Sequence, residues 1–276
     1  FIVQNKLNEF FPGKHKDLGI ITLGGNYNTL IRALQRQGLA DSFGATDIPI
    51  YVMNVAYPVV PEEIVKFSEV NEQGLSNLIE CCQNIDGVRI IFPSTRLVYK
   101  GVENIPLTEE SEKESKTIYA KNKLVCEQML SESTIDYTIF RICVPYGNLL
   151  DQVYSYGTIG FFINRAIKGE NITIYGDGSL KRTFTHVRDI TESILRTLEL
   201  DASKKEIYNI GSNDNLSLLD VATLVAKKYN VNVEFVGWPE AALKIESGDT
   251  IFDGSKLNQT INYRSKESLK EWVINI

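Results

Sequence analysis

The chain has 276 residues, 43% of them hydrophobic, with 29 basic against 35 acidic side chains, a net charge of −6 and a pI near 5.2. That much apolar material fills one large core, or a core with a small appended unit, and excludes a disordered chain. The acidic balance argues against a phosphate-backbone partner, so no nucleic acid is expected, and no run approaches the roughly 18 apolar residues of a membrane span.

Four cysteines (Cys81, Cys82, Cys126, Cys143) include an adjacent pair and no Cys-x-x-Cys, and only His15 and His186 are available to help ligate a metal. The expectation is therefore no metal and reduced thiols in a cytoplasmic protein. No secretory leader is visible, although the chain opens at Phe1 and not at Met, which leaves room for an upstream segment.

Residues 18–23 read as a strand, Gly24-Gly25-Asn26 as a turn and residues 29–37 as a helix. A dinucleotide fold should begin with a strand, a glycine-rich turn and a helix whose N-terminus faces the pyrophosphate. The glycine spacing here does not match that fingerprint. A second reading makes residues 1–11, with apolar Val3, Leu7, Phe10 and Phe11, the first helix, its glycine loop lying upstream. From about residue 48, apolar runs at 48–56, 88–92 and 137–143 alternate with helical stretches, which implies a parallel sheet flanked by helices. The helix expected over 61–82 opens on a proline and two acids and carries a stripe of Ile64, Phe67, Leu75, Leu78 and Cys82. Asn71 falls in that stripe, so it is either a satisfied core asparagine or part of a site.

The strand at 88–92 runs on into Ser94-Thr95, and a later helix carries Tyr119 and Lys123. Four-residue spacing puts phenol and ammonium on one helix face, and a cation beside a phenol favours the phenolate, which a tyrosine needs to act as a base. A hydroxyl such as Thr95 would orient the alcohol or carbonyl being turned over. Alone the pair is weak, since a chain with 13 tyrosines holds on the order of one such spacing by chance, and the plain alternative is a solvated helix face.

Beyond Gly147, residues 172–175 and 182–187 look like two short strands joined by the Gly176-Asp177-Gly178 turn. Asp189 then suits a helix cap, Ser217 and Asp220 form a capping-box pattern, and the tail from 256 to 272 reads as two more short helices.

Taken together, Ser94-Thr95-Arg96-Leu97-Val98-Tyr99, Tyr119-x-x-x-Lys123, Arg141-x-x-x-Pro145-Tyr146-Gly147, Ile174-Tyr175-Gly176-Asp177-Gly178 with Arg182 and His186-Val187, and Tyr208-Asn209-Ile210-Gly211 resemble the extended short-chain dehydrogenase/reductases. More narrowly they look like the NAD-dependent epimerase/dehydratase family that acts on nucleotide-sugars. The likeness covers about residues 48–276. It implies an α/β fold: a Rossmann-like doubly wound parallel sheet with a smaller mixed α/β C-terminal substrate-binding domain. The expected division is 1–147 for the dinucleotide and mainly 148–276 for the substrate, some later segments returning to the sheet.

The resemblance makes Tyr119 the general base/acid, Lys123 the ligand of the nicotinamide ribose and tuner of Tyr119, and Thr95 the hydroxyl on the reacting sugar oxygen. Val55, Ala56, Asn71, Ser94 and Val144 would adjoin the cofactor, NAD with NADP not excluded. Val144 and Tyr175 would adjoin the substrate, with Tyr175 at the nucleobase and Arg182 at the diphosphate of a nucleotide-diphosphate sugar. Four departures accompany it. Arg96 and Leu97 stand where the 4,6-dehydratases carry Asp-Glu for elimination, which disfavours dehydration. Val144 replaces an asparagine, Glu246-Ser247-Gly248-Asp249 offers an acid where relatives carry a second diphosphate arginine, and the glycine loop is missing. Asn54 also departs from the family's His-Leu-Ala segment.

The leading expectation is an NAD-dependent nucleotide-sugar epimerase acting through a transient 4-keto sugar. A NADPH-dependent 4-ketoreductase would use the same trio, and a catalytically silent dinucleotide-binding or scaffold protein is the alternative from another class. Relatives commonly dimerise through two helices per subunit, here 61–82 and 119–131, so a homodimer is expected.

Overall fold

A computed structural model describes residues 9–14, 20–23, 27–36, 38–42, 44–53, 61–83, 85, 87–147 and 157–276. The chain divides by its own contacts into two compact units, Phe1–Asp86 and Gly87–Ile276. In the first unit, β1 (Glu9–Phe11), β2 (Ile20–Leu23), α1 (Tyr27–Arg36), β3 (Ile50–Met53) and α2 (Pro61–Cys82) follow in order. β2 and β3 pair in parallel, Ile20 opposite Ile50, and α1 makes the crossover that such a pair needs. Leu34 of α1 packs with Ile48 and Ile50 in a small core that Leu30 and Ile31 flank.

Two expectations are corrected in this unit. Residues 9–11 are a strand and not the end of a helix: Phe10 and Phe11 pair antiparallel with Tyr51 and Ile50 on the sheet edge. Among the α2 residues whose side chains are described, Leu75 and Ile79, one turn apart, are buried, while Leu78 of the expected stripe is 46% exposed; Ile64 and Phe67 lie outside them. Val55, Ala56, residues 1–8 and Gly24-Gly25-Asn26 lie outside the described residues, and so does the side chain of Asn71.

The second unit opens with β4 (Arg89–Thr95), β5 (Pro106–Leu107), α3 (Ile118–Glu132), β6 (Asp136–Ile142), β7 (Val144–Tyr146) and α4 (Gly157–Ile167). It continues with β8 (Ile172–Tyr175), β9 (Lys181–His186), α5 (Val187–Leu198), β10 (Glu206–Ile210), β11 (Asn215–Ser217) and α6 (Leu218–Tyr229). β12 (Val233–Val236), α7 (Glu240–Ile245), β13 (Ile251–Phe252), α8 (Ser255–Ile261) and α9 (Leu269–Asn275) complete it. β4, β6 and β10 form an all-parallel sheet in the order β10-β6-β4, with helical connections, an α/β arrangement. Phe140 and Tyr208 of that sheet stack and pack against Leu257 and Ile261 of α8. A second core gathers Ile163 of α4, Ile172, Phe184, Val221 and Val225 of α6, and Leu269 and Val273 of α9.

The hairpin expected around Gly176 does not form. β8 pairs with β12, while β9 lies between β7 and β11. Gly176 and Gly178 both take positive φ and turn the chain out of β8 before it enters a different sheet. Ser217 and Asp220 do make the reciprocal capping box. Asp189 does not cap α5; that role falls to His186, whose Nδ1 accepts from Arg188 N at 3.1 Å. Asp189 is buried and instead receives Tyr263 Oη–H at 2.6 Å and the backbone N–H groups of Lys266 and Glu267, fastening the C-terminal segment.

Candidate active site

β4 is a parallel strand that ends in two hydroxyl residues, both buried. Thr95 is extended, and its Oγ1 accepts Leu97 N–H at 3.3 Å to cap a short 3-10 turn, Arg96–Val98. A hydroxyl that accepts one bond keeps its own proton to give, so Thr95 still has a donor for a carbonyl or alcohol oxygen. Ser94 differs: its hydroxyl donates to Glu127 Oε1 at 2.5 Å.

Thr117 starts α3 by accepting Ala120 N–H at 3.1 Å, which fixes where the first turn begins. Tyr119 sits on that turn, 46% exposed. One turn on, Lys123 Nζ lies 5.7 Å from the Tyr119 ring centroid and 4.6 Å from that of Phe92, and donates to Pro93 O at 2.7 Å. Another turn on comes Glu127. Two bonds thus tie α3 to the end of β4: Lys123 to Pro93, and Ser94 to Glu127. Thr95 follows the tied Pro93-Ser94 pair in the chain. Burial lowers the Lys123 ammonium below its ordinary pKa, opposed by Cys126 and Glu127.

Beneath these residues lies a buried ionic network. Arg141 of β6, 3% exposed, donates from Nη2 and Nε to the Glu127 carboxylate, the shorter bond 2.5 Å, and from Nη1 to Tyr99 Oη at 2.7 Å and Glu109 O at 2.9 Å. Tyr99 Oη donates its hydrogen bond to Asn209 Oδ1 at 2.8 Å, and Asn209 N–H donates to the Glu109 carboxylate at 2.7 Å. Burial pushes the Tyr99 phenol up to about 12, against the pull of Arg141. Burial works against the Arg141 charge as well, yet the bonds and charge of Glu127 raise its pKa above the usual arginine value.

Arg182 on β9 is 2% exposed, and its Nη2 lies 2.6 Å from Glu246 Oε1. Its Nη1 donates to Gly248 O and Lys181 O. Arg96, next to Thr95 in the chain, reaches the same 246–250 segment, donating to Ser247 Oγ at 3.2 Å and Thr250 Oγ1 at 3.3 Å. Tyr175 is 44% exposed at the end of β8 and lies against Trp238, ring centroids 5.3 Å apart. Val144 opens β7 and packs among Val98, Tyr99 and Cys143. Ser94 and Thr95 thus lie at the end of β4, and Tyr119 and Lys123 on α3, the helix that these bonds tie to that strand. Arg182 stands apart from them on β9, reached through Arg96.

Sequence reasoning passed over Glu127, and it named Arg141, Tyr99, Asn209 and Arg96 only as motif residues or, for Arg96, as a departure, without the bonds they make. Two signals were present. Glu127 continues the four-residue series begun by Tyr119 and Lys123, and Arg141 interrupts an apolar strand, where a charge needs a buried partner.

Among known proteins, an uncharacterised protein of Methanocaldococcus jannaschii is 26% identical over 73% of this chain and 61% of its own. The chain thus spans about three fifths of that relative's length. A Bacillus cytotoxicus protein described as a UDP-N-acetyl-alpha-D-glucosaminuronate decarboxylase is 27% identical over 78% of this chain and 69% of its own. Among solved structures, the UDP-glucuronic acid 4-epimerase of Bacillus cereus in complex with UDP-glucuronic acid and NAD is similar in fold, with a TM-score of 0.67. It is 21% identical, over 88% of this chain and 75% of that one. The pattern of the NAD dependent epimerase/dehydratase family matches residues 27–211, a stretch that contains β4, α3, β6 and β9. With well over half of its residues inside that pattern, the chain belongs to the NAD-dependent epimerase/dehydratase family.

Proposed function

We propose that this protein is an NAD-dependent nucleotide-sugar epimerase that passes through a transient 4-keto sugar. The observation that carries the reading is the pair of bonds fastening α3 to β4, Lys123 to Pro93 O and Ser94 to Glu127. They hold the helix of the phenol and ammonium against the strand that ends in the Thr95 hydroxyl. A solvent-exposed phenol with an ammonium one turn on, on a helix tied to the strand that ends in a hydroxyl with a proton to give, is a donor set that suits a sugar alcohol and a nicotinamide ribose. When bound, NAD would supply the hydride acceptor and donor.

In this reading Tyr119 takes the proton from the sugar hydroxyl and returns it. Lys123 holds the ribose and favours the phenolate, and Thr95 orients the reacting oxygen. Val55, Ala56, Asn71 and Ser94 belong to the cofactor side, within residues 1–147. Tyr175 and Arg182 belong to the substrate side, within 148–276, and Val144 borders both. The Ser94 hydroxyl is already committed to Glu127, so its part is to position the strand. Isomerisation is favoured over elimination because Arg96 and Leu97 follow Thr95, neither of which is an acid. A homodimer through α2 and α3 agrees with the exposed Ile118 and Val125 on α3.

The test is turnover of UDP-, dTDP-, GDP- and CDP-hexoses with NAD present, followed by exchange between sugar isomers and by nicotinamide absorbance. Tyr119→Phe should lower turnover by a factor of roughly 10²–10⁴, the usual range for a general acid–base group. Near-normal turnover by that variant would reject Tyr119 as the acid–base group. Net oxidation of reduced nicotinamide without isomer exchange would mean a ketoreductase in place of an epimerase.

A further inference from the structure

We propose that Arg96 and Arg182 form one binding site for the diphosphate of a nucleotide-sugar, and that the Glu246 carboxylate sits in it as a built-in competitor which the substrate displaces. The inference rests on the nucleotide-sugar reading above.

Two guanidiniums converge on a single short segment. Arg182 is bound by Glu246 Oε1 at 2.6 Å and by two backbone carbonyls. Among the described residues, the Arg96 guanidinium bonds to two hydroxyls, Ser247 and Thr250, both beyond 3.1 Å. Burial and then the charge of Arg182 push the Arg96 pKa down, with Cys143 and Glu246 opposing, as expected where one carboxylate serves two cations. The remaining charges nearby face elsewhere. Asp249 is buried with its oxygens on the N–H groups of Lys181 and Asn104, and Lys116 donates to Glu246 O while lying 3.6 Å from Glu114.

The carboxylate stands where an anionic ligand would. Besides Arg182, Glu246 Oε1 accepts Gly248 N–H at 3.0 Å, so it is held by a guanidinium and a backbone amide, the donor types that recognise phosphate oxygens. Its side chain is 21% exposed against 3% for Arg182, so it is the partner with a route to solvent. Displacing it would leave two guanidiniums, the Gly248 amide and two hydroxyls facing one anion. Arg96 follows Thr95 without a gap, which couples that anion to the residue assigned to the reacting sugar.

Were Glu246 only a structural partner of Arg182, neutralising it would not improve ligand binding. As a competitor, it should weaken binding by about the strength of one charge-assisted hydrogen bond, roughly tenfold. Calorimetry at fixed salt with UDP and with inorganic pyrophosphate, on the full chain, tests this. Glu246→Gln should bind both about tenfold more tightly than the parent, and Arg96→Gln about tenfold more weakly. Because Glu246→Gln also loosens a buried arginine, the rise in Tm on adding each probe is read alongside; it should be larger in this variant than in the parent. Unchanged or weaker binding by Glu246→Gln overturns the competitor role, and unchanged binding by Arg96→Gln removes Arg96 from the site. If neither parent nor Glu246→Gln binds UDP, dTDP, GDP, CDP or pyrophosphate at millimolar concentration, the nucleotide-sugar reading falls with it. Pyrophosphate binding that tightens in Glu246→Gln without any nucleotide binding keeps the anion site and rejects the nucleotide.

Discussion

Glu127 and Arg141 offer a double-mutant test of what holds α3 against the sheet. Both side chains are about 95% buried and share two hydrogen bonds. Glu127→Leu strands the Arg141 charge and takes the acceptor from Ser94. Arg141→Met strands the Glu127 charge. Removing one partner of a buried pair costs about 3–5 kcal/mol, so independent effects would total about 6–10 kcal/mol in the double variant. The double variant leaves no orphaned charge. Tyr99 Oη keeps Asn209, and Glu109 O keeps Lys113 Nζ at 2.6 Å, so the lost Arg141 bonds leave no bare group. Its cost should be about 1–3 kcal/mol, mainly weakened hydrogen bonding around Ser94 and Tyr99. Urea unfolding followed by tryptophan fluorescence measures this, because Trp238 and Trp272 both lie in the second unit. A double variant as unstable as the two single costs added together would show that the pair is not coupled and would refute the argument.

Two further predictions concern His186 and its neighbour. Burial lowers the His186 pKa below its ordinary 6.5, helped by Arg188 and opposed by Glu267 and Asp189. The folded chain thus excludes a proton that the unfolded chain takes up. The stability His186 contributes is whole above pH 6.5 and is lost as the pH falls from there toward the depressed value. His186→Asn keeps a capping side chain without the titration, so its Tm should fall less than the parent's between pH 7 and pH 5; parallel curves would contradict this. Gly147 has φ +94°, and a Cβ there would lie 2.2 Å from His186 Nε2. Gly147→Ala should cost about 1–3 kcal/mol from the backbone strain, and more from the clash, in urea unfolding. An unchanged midpoint would show that the loop adjusts freely.

Much of this fold was legible in the sequence because its strands are short apolar runs and its helices amphipathic. α2 begins at the proline and ends at the second cysteine of the predicted stretch, and β4 and β6 lie within two residues of expectation at their starts. What failed depended on partners far along the chain. The strands flanking Gly176 were read as a hairpin from local turn chemistry, but their partners are β12 on one side and β7 and β11 on the other. Asp189 looked like a cap because it stands at a helix start, yet a segment more than 70 residues later claims its oxygens. The candidate site divides the same way. Tyr119 and Lys123 were visible because helical spacing is a local rule.

The bonds that give that pair a place were not visible, since they join α3 to β4 and β6 across other elements. Their chemistry suggests why they exist. An apolar pair at Glu127 and Arg141 would avoid desolvating two charges, so the ion pair is not needed to hold most of the stability. An apolar contact, however, tolerates sliding and rotation of the helix by a fraction of a turn. A bidentate carboxylate with a third bond to Ser94 allows one setting, and Ser94 adjoins Thr95 in the strand. The Leu–Met double variant separates these roles: it should still fold, at a cost of about 1–3 kcal/mol, yet lose turnover, because the phenol would no longer be held in one register with the threonine. Full turnover in that variant would show that apolar packing alone aligns them.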